Sequence, residues 1–258
     1  SVSHHPRTVR AITFDLWDTL VIDDSDEAER ARQGLPSKAE ARRDGFFQLA
    51  RANRPELPED TIHAAYDHAK ATFRRWWKVE HHTPPIAAWL KVGLDQLGIT
   101  DPTGLEALAA ELARHEVDIP PQPVPYVREM LDALHGKVPL AIVSDTINTP
   151  ADGLRSILKQ HDLFKYFDYF AFSDEVGASK PAPNGYAAVA EALSVEPAHI
   201  VHVGDRQETD VDGIQRFGGQ AVMYTGAIDR HKGDTTAEVT CADYRAFGAL
   251  IERLGGLA

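Results

Sequence analysis

A short, mainly apolar run from Val9 to Phe14 stops at Asp15. Such a run, bounded by a polar residue, predicts a strand buried on both faces. Helical periodicity then takes over for roughly a hundred residues. Ser37 and Glu40 have the spacing of a capping box ahead of an Ala- and Phe-containing helix. Ile62, Tyr66, Ala69, Phe73, Trp76 and Trp77 recur at helical spacing. Pro85 opens a further helix with Ile86, Trp89, Leu90, Leu94 and Leu97 on one face, closed by Gly98. Asp101 and Pro102 are placed as N-cap and first residue of another, with Leu105, Leu108 and Leu112 inward.

The Pro-rich stretch Pro120–Pro125 marks a boundary, followed by a helix from about Val124 to Leu134. The rhythm then becomes strand–helix–strand. Strands are expected at Val138–Val143, Tyr169–Phe172, His199–Val203 and Gln220–Tyr224, and helices at Ala151–Lys159, Asn184–Leu193, Val211–Phe217 and Tyr244–Leu254. Alternation of this kind implies a parallel sheet covered on both faces. The fold class is therefore α/β: a Rossmann-like parallel-sheet core from residues 1–21 and 120–258, with an all-helical insertion over 22–119.

Composition narrows the function. With 258 residues, 43% of them hydrophobic, the chain can bury one large core or a core plus a smaller one. The formal net charge of -12 opposes nucleic acid, which needs clustered Lys and Arg. The single cysteine, Cys241, excludes an internal disulfide and a multi-thiolate zinc site. No apolar run is long enough to span a bilayer, and the N-terminal SVSHHPRTVR lacks a signal-type apolar stretch. A cytoplasmic protein with no membrane or nucleic-acid partner is expected.

In open parallel sheets ligands bind at the carboxyl ends of strands. The polar residues there are Asp15, then Ser144 and Asp145, then Lys180, then Asp205 and Asp210. Four carboxylates, a hydroxyl and a lysine suit phosphoryl transfer through an aspartyl phosphate. An anionic nucleophile meeting an anionic substrate needs a hard cation, and Mg²⁺ takes one or two carboxylates. Lys180 adds fixed positive charge, and the Ser144 hydroxyl can donate to a phosphoryl oxygen. Taken singly, each residue has a plainer reading: Asp15 as a turn cap, Ser144 and Asp145 as helix caps, Lys180 as an exposed loop lysine.

FDLWDTL, AIVSDT, SKPAP and VGDRQETD occur in the order and spacing of the four motifs of the haloacid dehalogenase-like hydrolase superfamily, which this chain resembles over nearly its whole length. The resemblance implies a hydrolase with a helical cap over its site. Asp15 becomes the nucleophile and a metal ligand, with the Trp17 main-chain carbonyl as another. Ser144 and Lys180 hold the transferring group, Lys180 also neutralises Asp15, Asp145 takes part in substrate binding, Asp205 binds Mg²⁺ directly, and Asp210 binds it directly or through water. The substrate is a small phosphorylated molecule. Family phosphatases usually carry an acid–base Asp two positions after the nucleophile, where this chain has Trp17. Losing a positioned acid forfeits ~10²–10⁴-fold in rate. Trp17 fits either an apolar wall of the substrate pocket or packing. Three classes follow: a Mg²⁺-dependent phosphatase favouring good leaving groups, a 2-haloacid dehalogenase using Asp15 on carbon, and a degenerate binding protein. The two carboxylates of the fourth motif favour the first.

Other residues take plainer roles. Trp76, Trp77 and Trp89 are read as helical core rather than a ligand cage, and adjacent His81 and His82 as a solvent-facing helix end. His202 is a packing residue, and Asp18, Asp23 and Asp24 offer acid–base capacity or negative field, Asp18 foremost.

Overall fold

The structure, a computed structural model, describes residues 7–258. The first part of the N-terminal segment read above, residues 1–6, lies outside the described residues. Along the chain, β1 (Ala11–Phe14) is followed by α1 (Glu27–Arg32), α2 (Lys38–Asn53), α3 (Glu59–Lys78), α4 (Ile86–Gln96), α5 (Leu105–Ala113) and the short α6 (His115–Asp118). Next come α7 (Val127–Leu134), β2 (Leu140–Ser144), α8 (Ala151–Gln160), β3 (Tyr169–Phe172), α9 (Ser173–Val176), α10 (Asn184–Leu193) and β4 (Ile200–Gly204). The chain ends with α11 (Gly213–Phe217), β5 (Gln220–Tyr224), β6 (Val239–Cys241) and α12 (Phe247–Arg253).

Two compact units result. One takes the chain up to Asp23 with Pro121–Asp145 and Leu158–Ala258; the other takes Asp24–Pro120 and Thr146–Ile157. The first holds a six-stranded sheet in the order β3-β2-β1-β4-β5-β6, every pairing parallel. This is the α/β, Rossmann-like core the alternation predicts. Strands β1, β2, β4 and β5 are buried throughout, which explains why they read as apolar runs rather than alternating ones. The sheet order reverses between β1 and β4, so the crevice at their carboxyl ends is where a ligand is expected.

The second unit is helical. Its core joins Phe46, Tyr66 and Trp89, with ring centroids 5.5 and 5.8 Å apart along that chain of contacts. The Ser37 capping box forms, Glu40 N donating to Ser37 Oγ at 3.1 Å and Ser37 N to Glu40 Oε2 at 3.4 Å. A buried ion cluster ties this unit together: Lys38 Nζ lies 3.0 Å from Asp26 and 2.8 Å from Glu116, whose other oxygen accepts from Thr149 at 2.7 Å.

Several boundaries differ from the sequence reading. Asp101 and Pro102 do not start a helix; α5 begins after Gly104, at φ 100°. Asn53 fixes that turn, accepting from Thr103 N at 2.9 Å and donating to Thr103 O at 3.1 Å. Strand β2 starts at Leu140 rather than Val138, because Leu140 N is capped by the Asp168 carboxylate at 3.0 Å. The pair His81–His82 is half-buried, not solvent-facing: His82 packs 5.7 Å from the Trp76 ring. Strand β6 and helix α1 have no counterpart in the sequence reading.

Candidate active site

Parallel pairing sets the site's spacing. Phe14 stands opposite Val203, and Asp15 N donates to Val203 O at 2.9 Å, so Asp15 and Asp205 emerge at the ends of the two central strands. After β4 the chain makes a wide turn in which Val211 N reaches back five residues to Arg206 O at 3.2 Å. This turn returns the Asp210 carboxyl under the strand end. A Cβ on Gly204 would lie 2.1 Å from that carboxyl carbon, so only glycine fits there.

Asp15, Asp205 and Asp210 are buried and offer carboxylate oxygens within 4.8 Å of one another. Lys180, 5% exposed, donates to Asp15 Oδ1 at 2.9 Å and to Asp210 Oδ1 at 2.7 Å. The reading of Lys180 as an exposed loop residue is thereby excluded. Burial alone would lower its pKa, but Asp15, Asp210 and Asp145 raise it well above the ordinary value, so the ammonium is held charged. Asp210 is fully engaged: His202 Nε2 lies 2.8 Å away, and Arg206 N donates to Oδ2 at 3.1 Å. Burial pushes the Asp210 pKa up, yet Lys180 and His202 together hold it well below the carboxylate range. His202 also bonds Thr13 Oγ1 at 2.7 Å. It is a fully buried, satisfied packing residue, as its place in the strand predicts.

Asp145 Oδ1 accepts from Lys180 N at 3.0 Å, which anchors the lysine's backbone to the end of β2. Ser144 Oγ donates only a long 3.2 Å bond to the Asp145 carbonyl. Trp17 is half-buried. Its turn closes through Asp18 N to Val21 O and Val21 N to Leu16 O, and so does not use the Trp17 carbonyl.

Two residues take parts the sequence did not indicate. Arg230 donates through Nε to Asp205 Oδ2 and through Nη2 to Asp18 Oδ2, both at 2.7 Å. Asp18, at φ 58° and 1% exposed, also accepts from Asp23 N at 3.0 Å. Both of its oxygens are therefore committed, and Asp18 is a structural anchor rather than a spare acid–base group. No local pattern flags Arg230, which lies in the polar stretch GAIDRHKGD.

Four buried carboxylates, Asp15, Asp18, Asp205 and Asp210, thus share two cations, Lys180 and Arg230. Asp205 Oδ1 is buried and has no hydrogen-bond donor among the described residues. Burial first, then Asp15 and Asp210, push the Asp205 pKa up to about 8 despite Arg230. A buried oxygen without a donor, on a carboxyl whose negative charge its neighbours disfavour, is what a small divalent cation with oxygen ligands would satisfy. The residues present fit Mg²⁺, with Asp15, Asp205 and the free Trp17 carbonyl as candidate ligands. Asp210, already saturated by Lys180, His202 and Arg206, fits a place behind them.

The parallel sheet thus brings Asp15, Lys180, Asp205 and Asp210 together, as the four sequence motifs predict. Residues 9–218 match the family description "haloacid dehalogenase-like hydrolase", and the chain belongs to that family. It is 25% identical over 237 residues to mouse haloacid dehalogenase-like hydrolase domain-containing protein 3, covering 86% of this chain and 84% of that one. It is 29% identical over 225 residues to the Escherichia coli 5-amino-6-(5-phospho-D-ribitylamino)uracil phosphatase YigB, covering 83% and 82%. The fold is shared with a Pseudomonas syringae 2-haloacid dehalogenase at TM-score 0.68 and 20% identity, over 95% and 99% of the two chains. The protein is a hydrolase of this superfamily with phosphatases among its relatives.

Proposed function

We propose that the chain is a Mg²⁺-dependent phosphatase of small phosphorylated metabolites, acting through a phospho-aspartyl group on Asp15, with the helical unit as its cap. The observation that carries this reading is the buried carboxylate cluster with the orphaned Asp205 Oδ1. When bound, Mg²⁺ would neutralise the cluster and offset charge on the phosphoryl oxygens.

The chain's own residues supply the rest. Asp15 Oδ2, held only by a 3.3 Å bond from Thr19, is the freer oxygen for attack on phosphorus. Its lone pair forms the new P–O bond while the P–O bond to the leaving group breaks, and the leaving oxygen keeps that electron pair. Lys180 and the loosely held Ser144 hydroxyl cradle the transferring group. Asp145 binds on the substrate side by fixing Lys180. Water then hydrolyses the acyl phosphate and regenerates Asp15. Trp17 cannot donate a proton, so leaving groups that depart as stable anions are favoured, and the indole serves as an apolar wall for the substrate. The compartment proposed is the cytoplasm; among the described residues no helix is long and apolar enough to cross a membrane.

The same Trp17 favours a second reading, halide displacement from carbon, because a halide leaves without a proton. That chemistry leaves the buried Asp205 Oδ1 with nothing to hold. One set of assays separates the two: phosphate release from acetyl phosphate and p-nitrophenyl phosphate, and halide release from 2-haloacids, each with Mg²⁺ or with EDTA. Phosphate release that EDTA abolishes is expected. Halide release insensitive to EDTA would overturn the proposal.

A further inference from the structure

A cavity of about 370 Å³ lies within the helical unit. That volume is in the range of small-molecule pockets, ~300–1,000 Å³. Tyr66, Trp77 and Trp89 form aromatic walls, Arg42, Lys70 and Arg74 contribute positive charge, and no residue lining it is acidic.

The charges around it are unusual for this chain. In a protein of net charge -12, nearby cations find carboxylates readily: Arg43 pairs with Asp67 at 2.6 Å and Arg75 with Glu80 at 3.3 Å. Among the described residues Arg42, Lys70 and Arg74 make no ion pair. Lys70 and Arg74 stand four apart on α3, so they face the same way and repel each other. Tyr66 and Trp77 flank them at helical spacing on that face. Two buried donors on lining residues, Arg42 Nε and Trp89 Nε1, have no acceptor. Buried donors left unmade are costly, and like charges set side by side gain from an intervening anion.

We propose that this cavity binds an aromatic organic anion, its ring against the tryptophan and tyrosine walls and its carboxylate or phosphonate between Arg42, Lys70 and Arg74. Tyrosine and tryptophan provide broad ring faces with little entropy to lose on binding. The inference is independent of the chemistry at Asp15.

Isothermal titration of the full chain with 1-naphthalenephosphonate in EDTA tests it, since that probe has no P–O–C bond to cleave. Saturable one-to-one binding with a change in tryptophan fluorescence is expected, with neutral 2-naphthol and inorganic phosphate each much weaker. Lys70→Glu and Arg74→Glu, both exposed and therefore compatible with folding, are expected to weaken it at least about tenfold. Lys91→Glu, the same charge change on α4 outside the cavity, is expected to bind as wild type, and so is Asp15→Asn. Absence of saturable binding, or equal binding by the Lys70 and Arg74 variants, would overturn the inference. Loss of binding in Asp15→Asn would also overturn it, by placing the probe at the carboxylate site instead.

Discussion

Arg230 donates to Asp205 Oδ2 at 2.7 Å, while the other oxygen of that carboxyl is buried without a hydrogen-bond donor among the described residues. The guanidinium fixes the carboxyl plane and leaves one oxygen turned to the cluster. Among the described residues, it and Lys180 are the Lys and Arg side chains bonded to these four buried carboxylates. Replacing Arg230 with an apolar side chain strands Asp18 and Asp205. Arg230→Met is expected to cost about 2–4 kcal/mol in the metal-free protein, discounted because the arginine is partly exposed. This corresponds to roughly 5–15 °C in melting temperature. Mg²⁺ should recover more in the variant than in wild type, because it replaces the lost charge. Thermal melts with EDTA and with Mg²⁺ measure both shifts; equal Mg²⁺ shifts would contradict the role given to Arg230.

Trp17 sets leaving-group preference on this account. Trp17→Asp restores a carboxyl where family phosphatases place their acid. Turnover of alkyl phosphates is expected to rise by ~10²–10⁴-fold, with acetyl phosphate changing little. The ratio of the two rates, measured side by side, is the test. A uniform fall on both substrates would mean that Trp17 serves packing alone.

Lys38 is the key to the helical unit. It is 3% exposed and stands between Asp26 and Glu116, themselves 1% and 6% exposed. Its ammonium would lose charge through burial, but Glu116 and Asp26 outweigh that and raise its pKa. Lys38→Met leaves two buried carboxylates uncompensated and is expected to destabilise the protein by about 3–5 kcal/mol. Urea unfolding measures it, and a loss below about 1 kcal/mol would show the cluster to be solvated.

Cys241 gives an alkaline limit. The thiol is 1% exposed, and burial pushes its pKa from the usual 9.0 up to about 11. The unfolded chain therefore releases this proton first, so stability falls as pH rises from about 9 to about 11. The loss is about 1–2 kcal/mol from this group, reduced from the full shift for partial solvation. Cys241→Val should flatten that part of the pH–stability curve. In the native state at neutral pH the thiol should react slowly with iodoacetamide, and an unchanged slope in the variant would contradict the assignment.

What the sequence revealed follows from where the physics is local. Asp15 and Asp205 each follow a buried apolar strand and Ser144 ends another, and a parallel sheet brings strand ends together whatever the loops do. The Ser37 capping box, closed within four residues, was legible for the same reason. Arg230 was not, since its partners lie 25 and 212 residues away and its surroundings resemble any polar loop. The supposed cap at Asp101 failed to a long-range contact as well: Asn53, fifty residues earlier, fixes the turn and moves the helix start to Gly104. Strand β6 is three residues long with an exposed centre, too short for alternation to register. Burial of the His81–His82 pair is not legible locally, because it depends on what packs over the helix end, here the Trp76 ring against His82.

The most direct test of the central claim is the heat of Mg²⁺ binding to the purified chain, beside that of Asp15→Asn and Asp205→Asn. One ion per chain is expected in wild type, with affinity falling at least about tenfold in each variant. No binding in wild type, or equal binding in all three, would contradict that claim.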